Sequence, residues 1–358
     1  MDRIRMFSKA RRIVVKVGTS SITEDLTLSE RKLGKLVSEV ARVHQAGREV
    51  IIVSSGAIAA GIRKLGLKAR PRDMNLLQAT AAVGQSELMG AYGKAFAKHG
   101  ITVAQILLTR DDFHSRGRCL RIKTTIDTLL KAGAIPVINE NDSVAVEEIK
   151  FGDNDTLSAT VASNVGADLL VLMSSMDGLH TKDPARSKGA VKIDVVDRIT
   201  DDILSLKGKS RLGGVGGIES KIKAGKMMME CGIPMAIVDS GMEDVLSRLT
   251  CGENVGTLFL PKGRIEDKHQ WMLYSSVSRG IITVDDGAAR VLSKGKASLL
   301  PPGIINVKGI FKKGDTVSVA DRSGREFARG MTNFSSEEVE KIMGKQSVEI
   351  QKITGKKI

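Results

Sequence analysis

Lys16 breaks the apolar run IVVKV, with one residue between it and the turn Gly18-Thr19-Ser20-Ser21, and Lys221 follows the glycine run GGVGG at 213–217 by four residues. A third small-residue turn is Ser54-Ser55-Gly56-Ala57. Such turns can cradle phosphate, because backbone N–H groups at a helix start lack partners and carry the positive end of the helix dipole. Two ammonium groups beside them would add point charges. At 4 Å such a charge is worth about 1 kcal/mol in water but about 4 at an effective dielectric of 20, so the pair becomes useful only in a closed cleft. The plain alternatives are a strand-end lysine reaching solvent and an exposed helix lysine.

A second cluster lies in VINENDSVAVEEIKFGDNDTLSA, residues 137–159, where an apolar strand runs into Asn-Glu-Asn-Asp and the chain later repeats the theme as Gly-Asp-Asn-Asp. Short amides and carboxylates suit turns and helix caps. They also suit a site that grips a polar substrate and a metal-bound anion. No stretch matches GxxxxGK[ST], and GGVGGIES lacks the third glycine and the preceding strand of a dinucleotide fingerprint. No Ser-His-Asp or Cys-His arrangement is recognisable. A substrate carboxylate, with a pKa near 4.3, is already ionised at pH 7. Phosphorylating it calls for positioning and charge neutralisation, not a general base.

Strand and helix patterns place these residues. RRIVVKV, EVIIVSS, ITVAQILLT, AIPVINEN, DLLVLMSS and PMAIVDSG read as near-continuous apolar strands separated by helical stretches. In the first of those, Leu33, Leu36, Val37, Val40 and Val43 share one face and Gly47 marks the stop. Buried strands alternating with helices predict an α/β fold with a mostly parallel sheet between helix layers. Ligands then bind beyond the carboxyl ends of the strands. Those ends read GTSS, SSGA, NEND and SS, so NEND falls on the functional edge.

With 358 residues, 42% hydrophobic and 3% aromatic, the chain can form more than one aliphatic core. Cys119, Cys231 and Cys251 are odd in number and widely spaced, which argues against a disulfide framework or zinc site and for a reducing cytoplasm. No apolar run reaches the ~18 residues of a membrane span. The net charge of +14 points to anionic substrates or to a solvated basic face. After about Pro261, short strands and Pro-Gly and Lys-Gly-Asp turns replace the βα pattern, predicting a small mainly-β, barrel-like domain. The expected division is 1–262, a linker at 263–278, and 279–358, where 15 Lys/Arg face 9 Asp/Glu.

The stretches VVKVGTSS, VSSGAIAAG, AAVGQSELM, PVINENDSVA, KFGDNDTLSA and GGIESKIKAG, in this order over roughly residues 10–260, closely resemble the bacterial glutamate 5-kinases. The segment from about 279 to 353 resembles the PUA domain many of them carry. Sibling kinases for aspartate, N-acetylglutamate or UMP lack the NEND and GDND pair and this extension. The resemblance implies an amino-acid-kinase fold and transfer of the ATP γ-phosphate to the γ-carboxylate of L-glutamate, with Mg²⁺, as the first step of proline synthesis. By motif match Ser55, Asp142 and Asn154 would hold glutamate, Lys16 and Lys221 would stabilise the transferring phosphoryl group, and Asp155 would orient the lysines.

The nucleotide would meet Lys16, Ser174, Ser175 and the loop Val215, Gly216, Gly217, Ile218, Glu219, Ser220 and Lys221, with no dedicated protein metal ligands. Relatives often carry Thr-Asp or Ser-Asp where this chain has Ser174-Ser175. The resemblance further implies a cytoplasmic homo-oligomer, inhibited by proline acting near the loop 139–148. The alternatives are a kinase for another acidic amino acid, or an RNA-binding protein that uses the basic PUA-like domain.

Overall fold

The computed structural model describes residues 3–25, 27–144, 154–184, 187–206, 217–261, 278–294 and 297–345. The chain divides into two compact units, one formed by Met1–Asp112 with Gly117–Asp267, the other by Phe113–Arg116 with Lys268–Ile358. All but Ser278 of the expected linker lies outside the described residues.

The first unit runs β1 (Arg12–Val17), α1 (Glu30–Gln45), β2 (Glu49–Ser54), α2 (Ala57–Lys64), α3 (Met74–Ala97), β3 (Val103–Leu108), α4 (Arg116–Lys131), β4 (Ile135–Glu140) and α5 (Asn154–Val165). It continues with β5 (Leu169–Ser174), β6 (Val195–Val196), α6 (Ile218–Cys231), β7 (Met235–Asp239), α7 (Val245–Thr250) and β8 (Thr257–Phe259). The sheet order is β6-β8-β7-β5-β1-β2-β4-β3. The six strands from β7 to β3 are all parallel, while β8 runs antiparallel to β7. The carboxyl ends of six neighbouring strands therefore share one edge.

Helix α1 shows why the pattern folds as it does. Ser29 caps it by accepting from Lys32 N, the five-residue apolar stripe from Leu33 to Val43 is buried, and Gly47 leaves the helix at φ +83°. The core beneath joins Val15, Ile52, Val137 and Val171 from four adjacent strands to Leu36, Val40, Leu88, Tyr92 and Phe96 from α1 and α3. Helices α2 and α3 touch backbone to backbone. A Cβ on Gly84 would lie 1.7 Å from the Ala57 carbonyl oxygen, and one on Gly61 would lie 1.9 Å from that of Thr80. Glycine at both positions lets α2 and α3 pack in direct contact.

The second unit holds β9 (Gly280–Val284), α8 (Asp286–Leu292), β10 (Ile304–Gly309), β11 (Thr316–Ala320), β12 (Glu326–Met331) and α9 (Ser336–Ile342). Its four-stranded sheet has the order β10-β9-β11-β12, mostly antiparallel, around Ile282, Val284, Phe311, Val317, Val319 and Val339. Ser335 and Glu338 close a reciprocal cap on α9. Among the described residues no helix is long and apolar enough to cross a membrane.

Candidate active site

Two consecutive residues at the start of α5 organise the edge. Asp155 is fully buried, and its Oδ1 meets Lys16 Nζ at 2.6 Å while its Oδ2 meets Lys221 Nζ at 3.0 Å. The Ser220 hydroxyl donates to the same Oδ2 at 2.7 Å. Lys16 comes from β1 and Lys221 from the first turn of α6, so one carboxylate ties three elements together. Neither lysine is the solvent-facing residue of the plain alternative, since they are 6% and 5% exposed.

Burial alone pushes the Asp155 carboxyl up. The Lys16 and Lys221 ammoniums and their hydrogen bonds reverse that and hold it well below the usual carboxylate range. The cluster of two cations and one anion carries net positive charge in a buried setting. Gly18 lies beside it: a Cβ there would stand 3.8 Å from Lys16 Nζ and 3.5 Å from Met173 O, ordinary contact distances. Helix α6 has Gly217 as its N-cap residue, with no side chain capping its first amides.

Asn154 faces the other way, toward the ends of β2 and β4. Its Nδ2 donates to Ser54 O at 2.9 Å and Ser55 Oγ at 2.8 Å, and lies 3.1 Å from Asn139 Oδ1. Asn139 Oδ1 also accepts from Glu140 N at 2.9 Å, and Asn139 Nδ2 donates to Gln85 Oε1 at 2.9 Å. Tyr92, fully buried on α3, shares a 2.9 Å hydrogen bond with Ser54 Oγ. Burial raises the Tyr92 phenol far above its ordinary pKa, so it stays neutral. Asp142, half-buried, borders a small recess with Gln85, Glu140 and Asn141.

The structure thus gathers Lys16, Lys221, Asp155 and Ser220 into one cluster and Ser55 and Asn154 into another, with Asp142 at the rim of the recess. Ser174 and Ser175 stand at the carboxyl end of β5, beside the end of β7, where Ser240 N donates to Ser174 O at 2.7 Å. Gly217, Ile218 and Glu219 open α6, whereas Val215 and Gly216 lie outside the described residues. Sequence reading placed Asn139 in the NEND cluster without a role of its own, and missed Gln85 and Tyr92 as parts of the site. The available signal was a glutamine directly after glycine in AAVGQSELM, since polar side chains in such apolar helices need buried partners.

Across the edge the strand order β7-β5-β1-β2-β4 becomes an order of chemistry. Serines stand at one end, cations in the middle and amides with a carboxylate at the other, a row suited to a nucleotide, a phosphoryl group and an amino acid.

The sequence is similar to known proteins over nearly its whole length. The sequence model of the amino acid kinase family matches residues 11–239, and that of the PUA domain matches residues 280–354. The glutamate 5-kinase of Caldanaerobacter subterraneus subsp. tengcongensis is 47% identical over 97% of this chain and 94% of its own. Those of Pelobacter propionicus and Citrifermentans bemidjiense are 44% and 47% identical, each over 99% of this chain and 95% of its own. The solved UMP kinase of Bacillus anthracis aligns at 16% identity and a TM-score of 0.47, covering 71% of this chain and 97% of that one, too loose a likeness to bear on function. With a family model over residues 11–239 and near full-length relatives, the chain belongs to the amino acid kinase family and is similar over nearly its whole length to glutamate 5-kinases.

Proposed function

We propose that this protein is a glutamate 5-kinase, which transfers the γ-phosphoryl group of ATP to the γ-carboxylate of L-glutamate as the first step of proline biosynthesis. The observation that carries this reading is the pair Asn154-Asp155, whose side chains reach the amide cluster and the lysine cluster respectively from one helical turn. A substrate gripped by the amides has its far carboxylate directed toward the cations.

In this reading a γ-carboxylate oxygen attacks the γ-phosphorus, the bond to the β–γ bridging oxygen breaks, and that electron pair leaves on ADP. No proton need be removed from the nucleophile, which is ionised at neutral pH. Lys16 and Lys221 neutralise charge on the transferring phosphoryl group, and Asp155 fixes both ammoniums so that little reorganisation is needed at the moment of transfer. Ser174, Ser175 and the start of α6 receive the nucleotide.

Among the described residues no group of three or more His, Cys, Asp or Glu is placed to hold a metal ion, and both Asp155 oxygens are engaged by lysine. Mg²⁺ binds few protein ligands in such reactions and keeps its waters and the substrate phosphates. It would therefore arrive on the nucleotide.

The same reading assigns the chemistry to residues 1–262, with 263–278 as linker and 279–358 as a PUA domain outside the reaction. It places the enzyme in the cytoplasm as a homo-oligomer, with any RNA contact by the PUA domain secondary. Proline shares with glutamate an α-carboxylate and a positively charged α-nitrogen, though a secondary one in a ring, and competes with it near the loop 139–148, of which 145–148 lie outside the described residues.

The test is ADP release measured with ATP, Mg²⁺ and a panel of acceptors. L-Glutamate should support turnover and yield an acyl phosphate trapped by hydroxylamine, while aspartate and N-acetylglutamate should not. Equal turnover of aspartate would overturn the substrate assignment.

A further inference from the structure

Resting on the glutamate reading, we infer that Gln85 is a further substrate-binding residue: its side-chain Nε2 donates to the α-carboxylate of the amino acid, while Asn154 Oδ1 accepts from the α-ammonium. Gln85 is 8% exposed and lines the recess that Asp142 borders. Its Nε2 is buried without a hydrogen-bond partner, and so is Asn154 Oδ1. Leaving such a group unsatisfied is costly, and Asn139 links the two amides, so together they call for a ligand that satisfies both.

The polarity of the amides follows from the backbone. The Ser54 carbonyl can only accept, so Asn154 must present Nδ2 to it and Oδ1 elsewhere. The Glu140 N–H can only donate, so Asn139 must present Oδ1 to it and Nδ2 to Gln85. Gln85 must then answer with Oε1, which leaves Nε2 as the remaining donor. Two peptide groups thus fix an unpaired donor at one end of the chain of amides and an unpaired acceptor at the other. An α-amino acid head group needs both: its carboxylate lacks donors, and its ammonium lacks acceptors. Asp142 at the same rim adds the negative charge for the ammonium, so the γ-carboxylate is the end left to face Lys16.

The test compares Gln85→Glu with Gln85→Ala at pH 8, using purified full-length enzyme, ATP, Mg²⁺ and L-glutamate. Gln85→Glu keeps the shape and the oxygen that receives Asn139 Nδ2 but replaces the donor with a second oxygen. If Nε2 holds the α-carboxylate, Gln85→Glu raises the glutamate KM at least tenfold, more than Gln85→Ala does, and the effect on KM exceeds that on kcat. The ATP KM should move less than twofold in either variant. If Gln85 serves only to support Asn139, or its Nε2 only holds a water, Gln85→Glu keeps a near-normal glutamate KM and the inference falls while the kinase reading stands. Wild-type enzyme that turns over no glutamate removes the functional reading and this inference with it. Melting temperatures of both variants show whether a KM change reflects misfolding; a rise in KM at unchanged Tm supports the contact.

Discussion

On the Asn154 side of α5 every contact joins neutral groups whose direction is set by two peptide units, whereas on the Asp155 side three charged side chains are buried together. The neutral side confers orientation. A reversed amide there would face like with like, acceptor against the Ser54 carbonyl for Asn154 and donor against the Glu140 N–H for Asn139, and each bond contributes on the order of 1 kcal/mol. The charged side confers electrostatic stabilisation in a setting where removing one member strands the others. Damage should therefore read differently on the two sides: in KM where direction is lost, in kcat and stability where charge is lost.

Asp155→Asn should be the most damaging change. It leaves Lys16 and Lys221 buried with no counter-charge, and breaking a buried ion pair from one side costs about 3–5 kcal/mol. Thermal denaturation should show a fall in Tm on the order of 10 °C, accompanied by loss of kcat. The native pKa of Asp155 lies below its unfolded value near 3.8, so its contribution to stability is complete above that pH. It is lost only as pH falls further, through the folded pKa. The Tm deficit of the variant should accordingly be constant from pH 5 to 9. A deficit that vanished at pH 5 would mean that Asp155 is not held ionised by the lysines.

Lys221→Ala comes next. It leaves Asp155 paired with Lys16 and, in the proposed reaction, removes one cation from the developing phosphoryl charge; losing one such stabilising group typically lowers kcat roughly 10²–10³-fold. Steady-state kinetics should show kcat falling far more than glutamate KM rises. Near-normal kcat would reduce the lysine to a structural partner of Asp155.

Asn154→Ala should do the reverse. Glutamate KM should rise on the order of 10–100-fold, the range for hydrogen bonds to charged groups, with a smaller change in kcat. Asp142→Ala should behave alike, because it borders the recess that Gln85 lines and would remove the negative charge proposed for the same ammonium. A collapse of kcat at unchanged KM in both would erase the contrast between the two sides.

The sequence carried the frame of this contrast but not its wiring. The stripe from Leu33 to Val43, the stop at Gly47 and the polar strand ends were readable, because helical periodicity and parallel-strand grammar are local properties of the chain. The pairing of Lys16 with Lys221 through Asp155 joins residues 205 positions apart by way of a third, and no local rule sees that. The match to glutamate 5-kinase motifs supplied those roles as an implication. Gln85 stayed hidden because its importance depends on Gly84 and Gly61 letting α3 approach α2, a packing event between two helices. The GGVGG loop, attractive as a phosphate cradle, is described only from Gly217 onward.

A second buried carboxylate in the same unit sharpens the contrast with Asp155. Glu39, 1% exposed on α1, accepts from Leu246 N at 3.2 Å and makes no ion pair with lysine or arginine among the described contacts. Burial raises its pKa, with the Leu246 hydrogen bond and the more distant Lys35 and Arg42 charges only partly opposing it. The sign is opposite to that of Asp155. Because the folded state holds the Glu39 proton more tightly than the unfolded chain does, raising pH above about 4.5 costs native stability until Glu39 ionises in the folded protein as well. Glu39→Gln keeps an oxygen for Leu246 N and removes the buried charge. Its Tm should equal the wild-type value near pH 4.5 and exceed it modestly, by roughly a few degrees at most, at pH 8. Glutamate kinetics should be unaffected, since Glu39 touches neither side of the α5 turn. A variant less stable than wild type at pH 8 would show that Glu39 is held by a compensating charge, as Asp155 is.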